Sequence, residues 1–103
     1  MLEKAINLNA SDIHLELQKD FLRVRFRIDG VLQEMGKLSK ELSPQIFSRM
    51  KVLGNMDIAV QRQPQDRHYS YLPKNNSHFD LRISTIPAQK GEKMVLRLLD
   101  QIP

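Results

Sequence analysis

Residues 21–35 are Phe-Leu-Arg-Val-Arg-Phe-Arg-Ile-Asp-Gly-Val-Leu-Gln-Glu-Met. Apolar residues alternate with arginines in the first half of this stretch, and a period of two is typical of a half-buried strand. Asp29-Gly30 follows at once and predicts a two-residue hairpin turn, because a type I′ turn needs positive φ at both central positions. The stretch therefore predicts a hairpin with one apolar face and one face that carries Arg23, Arg25 and Arg27.

The residues before this hairpin predict a short helix followed by a strand. Residues 2–8 have helical apolar spacing, and Asn9 is placed to end the helix. In the strand that follows, Asp12, His14 and Glu16 alternate with apolar residues and so project from one face. Carboxylates and an imidazole on one face could bind zinc. We favour the alternative, a structural role in capping or turning the chain where the helix meets the strand.

The residues after the hairpin predict a connector and then a second helix. Gly36 to Lys40 form the connector, and Ser43-Pro44 is a favourable helix start, with Ser as N-cap and Pro at the first helical position. Gly54-Asn55 should end this helix. The predicted apolar stripe consists of Leu42, Ile46, Phe47, Met50 and Leu53.

The last third of the chain predicts three more strands, at 67–72, 79–85 and 93–99. We expect Pro87 to stop the second of them. The third is apolar except for Arg97, so we expect it to be central and covered on both faces. The sum is an α+β domain: an antiparallel sheet of about six strands, mostly in hairpins, with helices packed on one face.

Composition excludes several classes of protein. The chain has 103 residues, which suits one domain, and no cysteine, which excludes a disulfide scaffold and a thiolate metal site. A net charge of +4 is compatible with an acidic partner such as nucleotide phosphate or an acidic protein surface. We expect no nucleic-acid partner, because Phe21 is the only aromatic placed to stack on bases among the arginines. No apolar run has the length of a membrane span.

Motifs for catalysis and metal binding are missing from the sequence. It has four glycines and lacks the spacing of a phosphate-binding loop, and its histidines do not form a zinc-binding pair on a helix. We therefore assign no catalytic residue, no metal site and no cofactor to this chain by itself.

Seven stretches nonetheless resemble the type II secretion and type IV pilus assembly ATPases, in particular those similar to general secretory pathway protein E. The resemblance covers nearly the whole chain, in order. The stretches are Ala-Ser-Asp-Ile-His at 10–14, Val-Arg-Phe-Arg-Ile-Asp-Gly-Val-Leu at 24–32, Ser-Arg-Met-Lys-Val-Leu at 48–53, Met-Asp-Ile-Ala at 56–59, Pro-Gln-Asp at 64–66, Asp-Leu-Arg-Ile-Ser-Thr at 80–85 and Gly-Glu-Lys-Met-Val-Leu-Arg-Leu-Leu-Asp at 91–100.

The resemblance implies that residues 1–103 are a single PAS-like domain, of the N2 type, that precedes a RecA-like ATPase core. The core with its Walker motifs is absent here, so we expect the natural chain to continue past Pro103. It also implies a cytoplasmic homohexamer that binds ATP and Mg²⁺ and is peripheral to the inner membrane through a platform protein. The domain would close over nucleotide held by its own core, pack on a neighbouring core and transmit force between subunits.

By motif, the nucleotide-facing residues implied are Arg82 and Arg97. Consecutive strands should place both on one face; alternatively, either arginine could pair with Asp80 or Glu92 inside the domain. The family has Pro-Gln-Asp-Gly-Arg where this chain has Arg67 and His68 after Asp66, so we assign no role to either residue. The sequence leaves open which secretion or pilus system is served and whether the motor extends or retracts. A free-standing PAS-like sensor or protein-interaction module is the alternative function.

Overall fold

The computed structural model describes the backbone of residues 2–53, 65–71, 79–88 and 91–100, and the side chains of 4–52, 81–88 and 93–98. The elements are α1 (Leu2–Asn7), β1 (Asp12–Leu17), β2 (Phe21–Ile28), β3 (Val31–Ser39), a 3-10 turn (Lys40–Leu42), α2 (Ser43–Leu53), β4 (Gln65–Tyr71), β5 (Phe79–Ala88) and β6 (Gly91–Asp100). The helix end expected at 54–55 and the turn at 73–76 lie outside the described residues.

Asn9 ends the first helix as the sequence predicted. Its φ is +56°, and its N–H donates to the carbonyl of Ile6 while the N–H of Ala10 donates to that of Ala5. These two bonds are the pattern of a Schellman motif, in which buried Ala5 and Ala10 supply the accompanying apolar contact. The motif turns the chain directly into β1.

The turn between β2 and β3 is also confirmed. Asp29 and Gly30 both have positive φ, +52° and +80°, and Ile28 lies opposite Val31. The strand β3 is longer than predicted and runs through Gly36, where we expected a connector. Val24 lies opposite Gly36 but Arg25 lies opposite Glu34, so Met35 is an extra residue, a β-bulge.

The strands form one antiparallel sheet in the order β3-β2-β1-β6-β5-β4. The first strand of the chain therefore pairs with the last, at the middle of the sheet. With helices packed against this sheet, the predicted α+β class is confirmed. The two α-helices among the described residues, six and eleven residues long, are too short to cross a bilayer.

One face of the sheet carries the hydrophobic core. Period-two alternation brings one side chain in two from β1, β2, β5 and β6 to this face, and α1 and α2 add Ala5 and Phe47. The buried apolar residues of these four strands are Ile13, Leu15, Leu22, Val24, Phe26, Leu81, Ile83, Met94, Leu96 and Leu98. The opposite face is left for polar groups.

The second helix packs the predicted Ile46, Phe47 and Met50 on the core, but its buried face is rotated relative to the predicted stripe; the side chain of Leu53 lies outside the described ones. Ser43, Phe47 and Lys51 are buried, at spacings of four residues, whereas Leu42 is 43% exposed. Ile46 and Met50 pack on the core from the side. The sequence pattern missed this rotation because Lys51, only 2% exposed, is a residue that hydropathy assigns to the surface. Ser43 does not act as the predicted N-cap acceptor; its hydroxyl donates to the Lys40 carbonyl, 2.7 Å away.

Two expectations for the last strands are wrong. β5 continues through Pro87 to Ala88; β4 begins at Gln65, opposite Thr85, so Pro87 has a strand neighbour on one side only in the described part of the chain. Proline is tolerated at such an edge. β6 is central, as predicted, but it is covered on one face only, because the Arg97 side chain is 56% exposed on the other.

Candidate functional site

The polar face of the sheet is the candidate site. Strand register aligns four residues in a line across β2, β1, β6 and β5, each directly opposite the next: Arg27, Asp12, Arg97 and Arg82. We call these four residues the arginine row. Each is on the face opposite the core because its neighbours along the strand are buried apolar residues.

Asp12 connects two arginines of this row. Its Oδ2 accepts a hydrogen bond from Arg27 Nε at 3.0 Å, and its Oδ1 accepts one from Arg97 Nε at 3.2 Å. The Asp12 side chain is only 8% exposed, so both contacts are shielded from water on the carboxylate side. Hydrogen bonds between charged partners are in general stronger than those between neutral groups.

A second row of ion pairs lies next to the first. Glu16 is 3.6 Å from both Arg25 and Lys93, and Gln18 donates to its other oxygen at 2.6 Å. Burial by itself would raise the pKa of Glu16, but the hydrogen bond from Gln18 and the two cations outweigh it and lower this pKa.

Charged side chains also have partners within the β2–β3 hairpin. Arg23 lies 3.4 Å from Glu34 on the neighbouring strand β3. Phe21, the one aromatic considered for stacking, has Lys37 4.8 Å and Arg23 5.8 Å from its ring centre, which is cation–π distance. The arginines of the hairpin thus have partners on their own sheet.

His14 lies between the two rows and is half-buried. Its ring Nδ1 is buried and has no hydrogen-bond partner among the described residues. Burial, followed by the positive charges of Lys93, Arg25 and Arg27, lowers the pKa of His14, against the opposing effect of Asp12. The imidazole is therefore held in its neutral form at neutral pH.

The zinc alternative finds no support in these contacts. Asp12, His14 and Glu16 do share one face, as predicted, but both carboxylates are engaged by cations. Within the described part of the chain, no group of three or more metal-binding side chains is placed to hold an ion. The role we favoured, in capping or turning the chain, is not the one seen; the backbone of Asn9 and Ala10 makes that turn, and the acids form ion pairs.

The two residues implied by the resemblance are brought together. Arg82 and Arg97 lie directly opposite each other on β5 and β6, and both are exposed. Arg97 pairs with Asp12, whereas the side chains of Asp80 and Glu92, the acids considered from the sequence, lie outside the described ones. Arg67 and His68 lie on β4, opposite Ile83 and Arg82, but their side chains are outside the described ones. The nucleotide-facing role of Arg82 and Arg97 stays a prediction.

Sequence reasoning missed Asp12 as the partner that joins Arg27 to Arg97. A signal was available, because Asp12 begins a strand whose apolar neighbours place it on the same face as the arginines of the hairpin. The missing information was that β6, at the other end of the chain, is the second neighbour of β1.

Comparisons with known proteins agree with the family resemblance of the sequence motifs. The sequence model of the family described as "Type II/IV secretion system protein" matches residues 1–103. The chain is 48% identical to "Type II secretion system protein E" of Pseudomonas aeruginosa over 98% of its length and 20% of the relative's. It is 46% identical to "Type II secretion system ATPase E" of Vibrio cholerae, with the same coverage.

A third relative has a different name. "Protein transport protein HofB homolog" of Haemophilus influenzae is 45% identical over the whole chain and 22% of its own length. The chain thus spans about a fifth of the relatives it matches. Because the family match covers every residue, this chain belongs to the type II/IV secretion system protein family.

Proposed function

We propose that residues 1–103 form one PAS-like, N2-type domain of a hexameric secretion or type IV pilus assembly ATPase, and that this domain precedes the RecA-like core. In this proposal it is not catalytic. It closes over nucleotide bound by the core and transmits force between subunits. Membership in a family with a relative named as an ATPase supports the proposal, as does the absence from this sequence of a phosphate-binding loop.

The observation that carries the proposal is the pairing of Arg82 with Arg97. Like charges directly opposite each other on a sheet are destabilising. Asp12 offsets part of this cost at Arg97. Because Arg82 and Arg97 are both exposed on paired strands, one anion could contact both, and their planar forks suit phosphate oxygens. ATP and Mg²⁺ would be held by the core; the part of this chain would be to neutralise phosphate charge.

The sheet is also suited to carry force. The polar face and the core face belong to the same strands. A force exerted on Arg97 by a bound anion would therefore pass to β6, which is hydrogen-bonded to a strand on each side. We propose that the domain contacts its own core and that of a neighbour in a homohexamer, and that the assembly docks on an inner-membrane platform protein from the cytoplasmic side. No nucleic acid is needed in this scheme.

The test uses the full-length protein that joins this chain to its core. Arg97→Ala or Arg82→Ala should lower ATP turnover on the order of 10³-fold, the effect of removing an arginine that stabilises phosphoryl-transfer charge. Arg23→Ala is the matched control, because Arg23 lies on the same face but pairs with Glu34 away from the arginine row. Its turnover should stay close to that of the wild type.

Turnover must be expressed per folded hexamer, measured by light scattering and circular dichroism. If both arginine variants hydrolyse ATP at near-normal rates on that basis, the nucleotide role of this face is wrong. Loss of stability with normal turnover would mean that the arginines are only structural.

The sensor alternative would require a ligand cavity between sheet and helices. Among the residues that the structure describes, one open depression of about 440 Å³ lies on the outer side of α2, lined by Pro44, Gln45, Ser48 and Arg49. A surface depression of this kind gives a PAS-like sensor no specific support.

A further inference from the structure

Asp12 holds its two arginines in different ways. Arg27 donates through Nε to Asp12 and through Nη1 to the carbonyl of Gly30, 3.1 Å away, so its guanidinium is tied to the hairpin turn. Arg97 donates to Asp12 through Nε. A guanidinium has five N–H donors, and one bound through Nε keeps four on its two terminal nitrogens.

Exposure separates the same two arginines. The side chain of Arg27 is 35% exposed and that of Arg97 is 56% exposed, although both contact one buried carboxylate. Arg27 thus acts as a fixed support for Asp12, while Arg97 extends from Asp12 toward solvent. A side chain as long as arginine loses much rotamer entropy when it is fixed, and a prior contact at Nε removes part of that cost from a binding event.

We propose that Asp12 is a positioning residue for Arg97: it fixes the guanidinium so that the terminal nitrogens point at a phosphate group of the bound nucleotide. The inference rests on the proposed function. It adds that the geometry of Arg97 is set from β1, through a carboxylate that does not itself touch nucleotide. The Asp12 charge also offsets part of the repulsion among Arg27, Arg97 and Arg82.

Glu16 provides a matched control on the same strand and the same face. It is also an acid paired with two cations, Arg25 and Lys93, but its contacts include no member of the arginine row. A general loss of sheet charge or stability would affect both acids alike. Positioning of Arg97 would depend on Asp12 alone.

The experiment measures ATP turnover of the full-length protein. Asp12→Asn keeps the size of the side chain but removes the charge and one acceptor. We expect kcat and kcat/KM to fall together, on the order of 10- to 100-fold, as for a small misplacement of a group that acts in the transition state. Glu16→Gln should change kcat less than about two-fold, because the ion pairs of Glu16 involve no residue of the arginine row and sites without shared partners act independently. Asp12→Glu, which keeps the charge but lengthens the side chain, should also lower kcat and serves if Asp12→Asn does not fold.

A double-mutant cycle identifies the route of the effect. In an Arg97→Lys background, Asp12→Asn should lower kcat by less than about two-fold further, because residues that act as one unit are not additive. Equal losses in both backgrounds would overturn the inference, since Asp12 would then act without Arg97.

The same cycle separates the inference from the function on which it rests. If Arg97→Lys alone leaves turnover unchanged, the nucleotide role of Arg97 fails and positioning fails with it. If Arg97→Lys lowers turnover but Asp12→Asn does not, only the inference is wrong. In the 103-residue chain, the Nε–H NMR signal of Arg97 should also exchange with water faster in Asp12→Asn than in Glu16→Gln, and equal rates would contradict a specific hold on Arg97.

Discussion

At the scale of single residues, the surroundings of His14 on the polar face disfavour protonation of its ring. Arg25 on β2 and Val95 on β6 lie directly opposite it, and Lys93 and Arg27 are close enough to act on its charge. A proton on the imidazole would add one more positive charge among these cations, and only Asp12 favours it. The protein therefore stabilises the neutral ring.

This environment predicts a pH effect on stability. The unfolded chain protonates His14 near pH 6.5, while the folded chain, with its lowered pKa, does so only at lower pH. Below about pH 6.5 the unfolded state then holds more protons, and the free energy of unfolding decreases as the pH falls. Thermal melting of wild type and His14→Gln between about pH 7.5 and pH 5.5, the range in which histidines titrate, should show the smaller decrease for the variant.

The comparison is of slopes, because the other histidines of the chain, His68 and His78, are present in both proteins. Glu16 does not interfere, since its lowered pKa places its effect at more acidic pH. Identical slopes for the two proteins would show that His14 protonates equally well in the folded state.

At the scale of elements, the β2–β3 hairpin combines a tight turn with a bulge. Gly30 has φ of +80° in the turn, and Gly36 lies opposite Val24 at the bulge with no positive φ. A Cβ built on either glycine would meet no atom within 4 Å. The two positions therefore differ in backbone conformation and not in available space.

Alanine at the two glycines should have opposite effects. Gly30→Ala should destabilise the protein by roughly 1–2 kcal/mol, because an L-residue is strained at positive φ. Gly36→Ala should be neutral or stabilise by up to about 1 kcal/mol, since it reduces only the freedom of the unfolded chain. Urea denaturation of both variants measures the difference, and equal destabilisation would mean that the turn does not require glycine.

At the scale of the whole molecule, sequence patterns predicted the features that depend on residues close together in the chain. Period-two alternation gave the faces of β1, β2 and β5, and Asn9 and Asp29-Gly30 gave two chain reversals, because each depends on residues adjacent in sequence. The same reasoning predicted that Arg82 and Arg97 lie on neighbouring paired strands, as they do.

Contacts between distant segments were not predictable in this way. Asp12 and Arg97 are 85 positions apart, and the sequence suggested Asp80 and Glu92, which are nearer along the chain. The burial of Lys51 and the exposure of Leu42 depend on how α2 is rotated on the sheet. The bulge at Met35 likewise depends on strand register, which alternation alone does not specify when both strands have polar faces.

The 103-residue chain by itself should not hydrolyse ATP. Its sequence has no phosphate-binding loop, and the arginines of the row can stabilise charge but supply neither a base nor a metal ligand. Phosphate release by the purified chain, verified as folded by circular dichroism, is the measurement. Turnover that persists through successive purification steps at constant specific activity would contradict the non-catalytic role.

The pairing of β1 with β6 has a consequence for synthesis. Of the strands in this chain, β1 is synthesised first, but it lies at the middle of the sheet and pairs with residues 93–97 of β6, which are synthesised after the other strands. Until then the β1 edge opposite β2 presents unpaired backbone groups, the kind of edge that can pair with another chain. Sheets closed by such distant strands form slowly. Aggregation during expression should therefore depend on how quickly β6 reaches β1, and chaperones that shield strand edges should improve the yield.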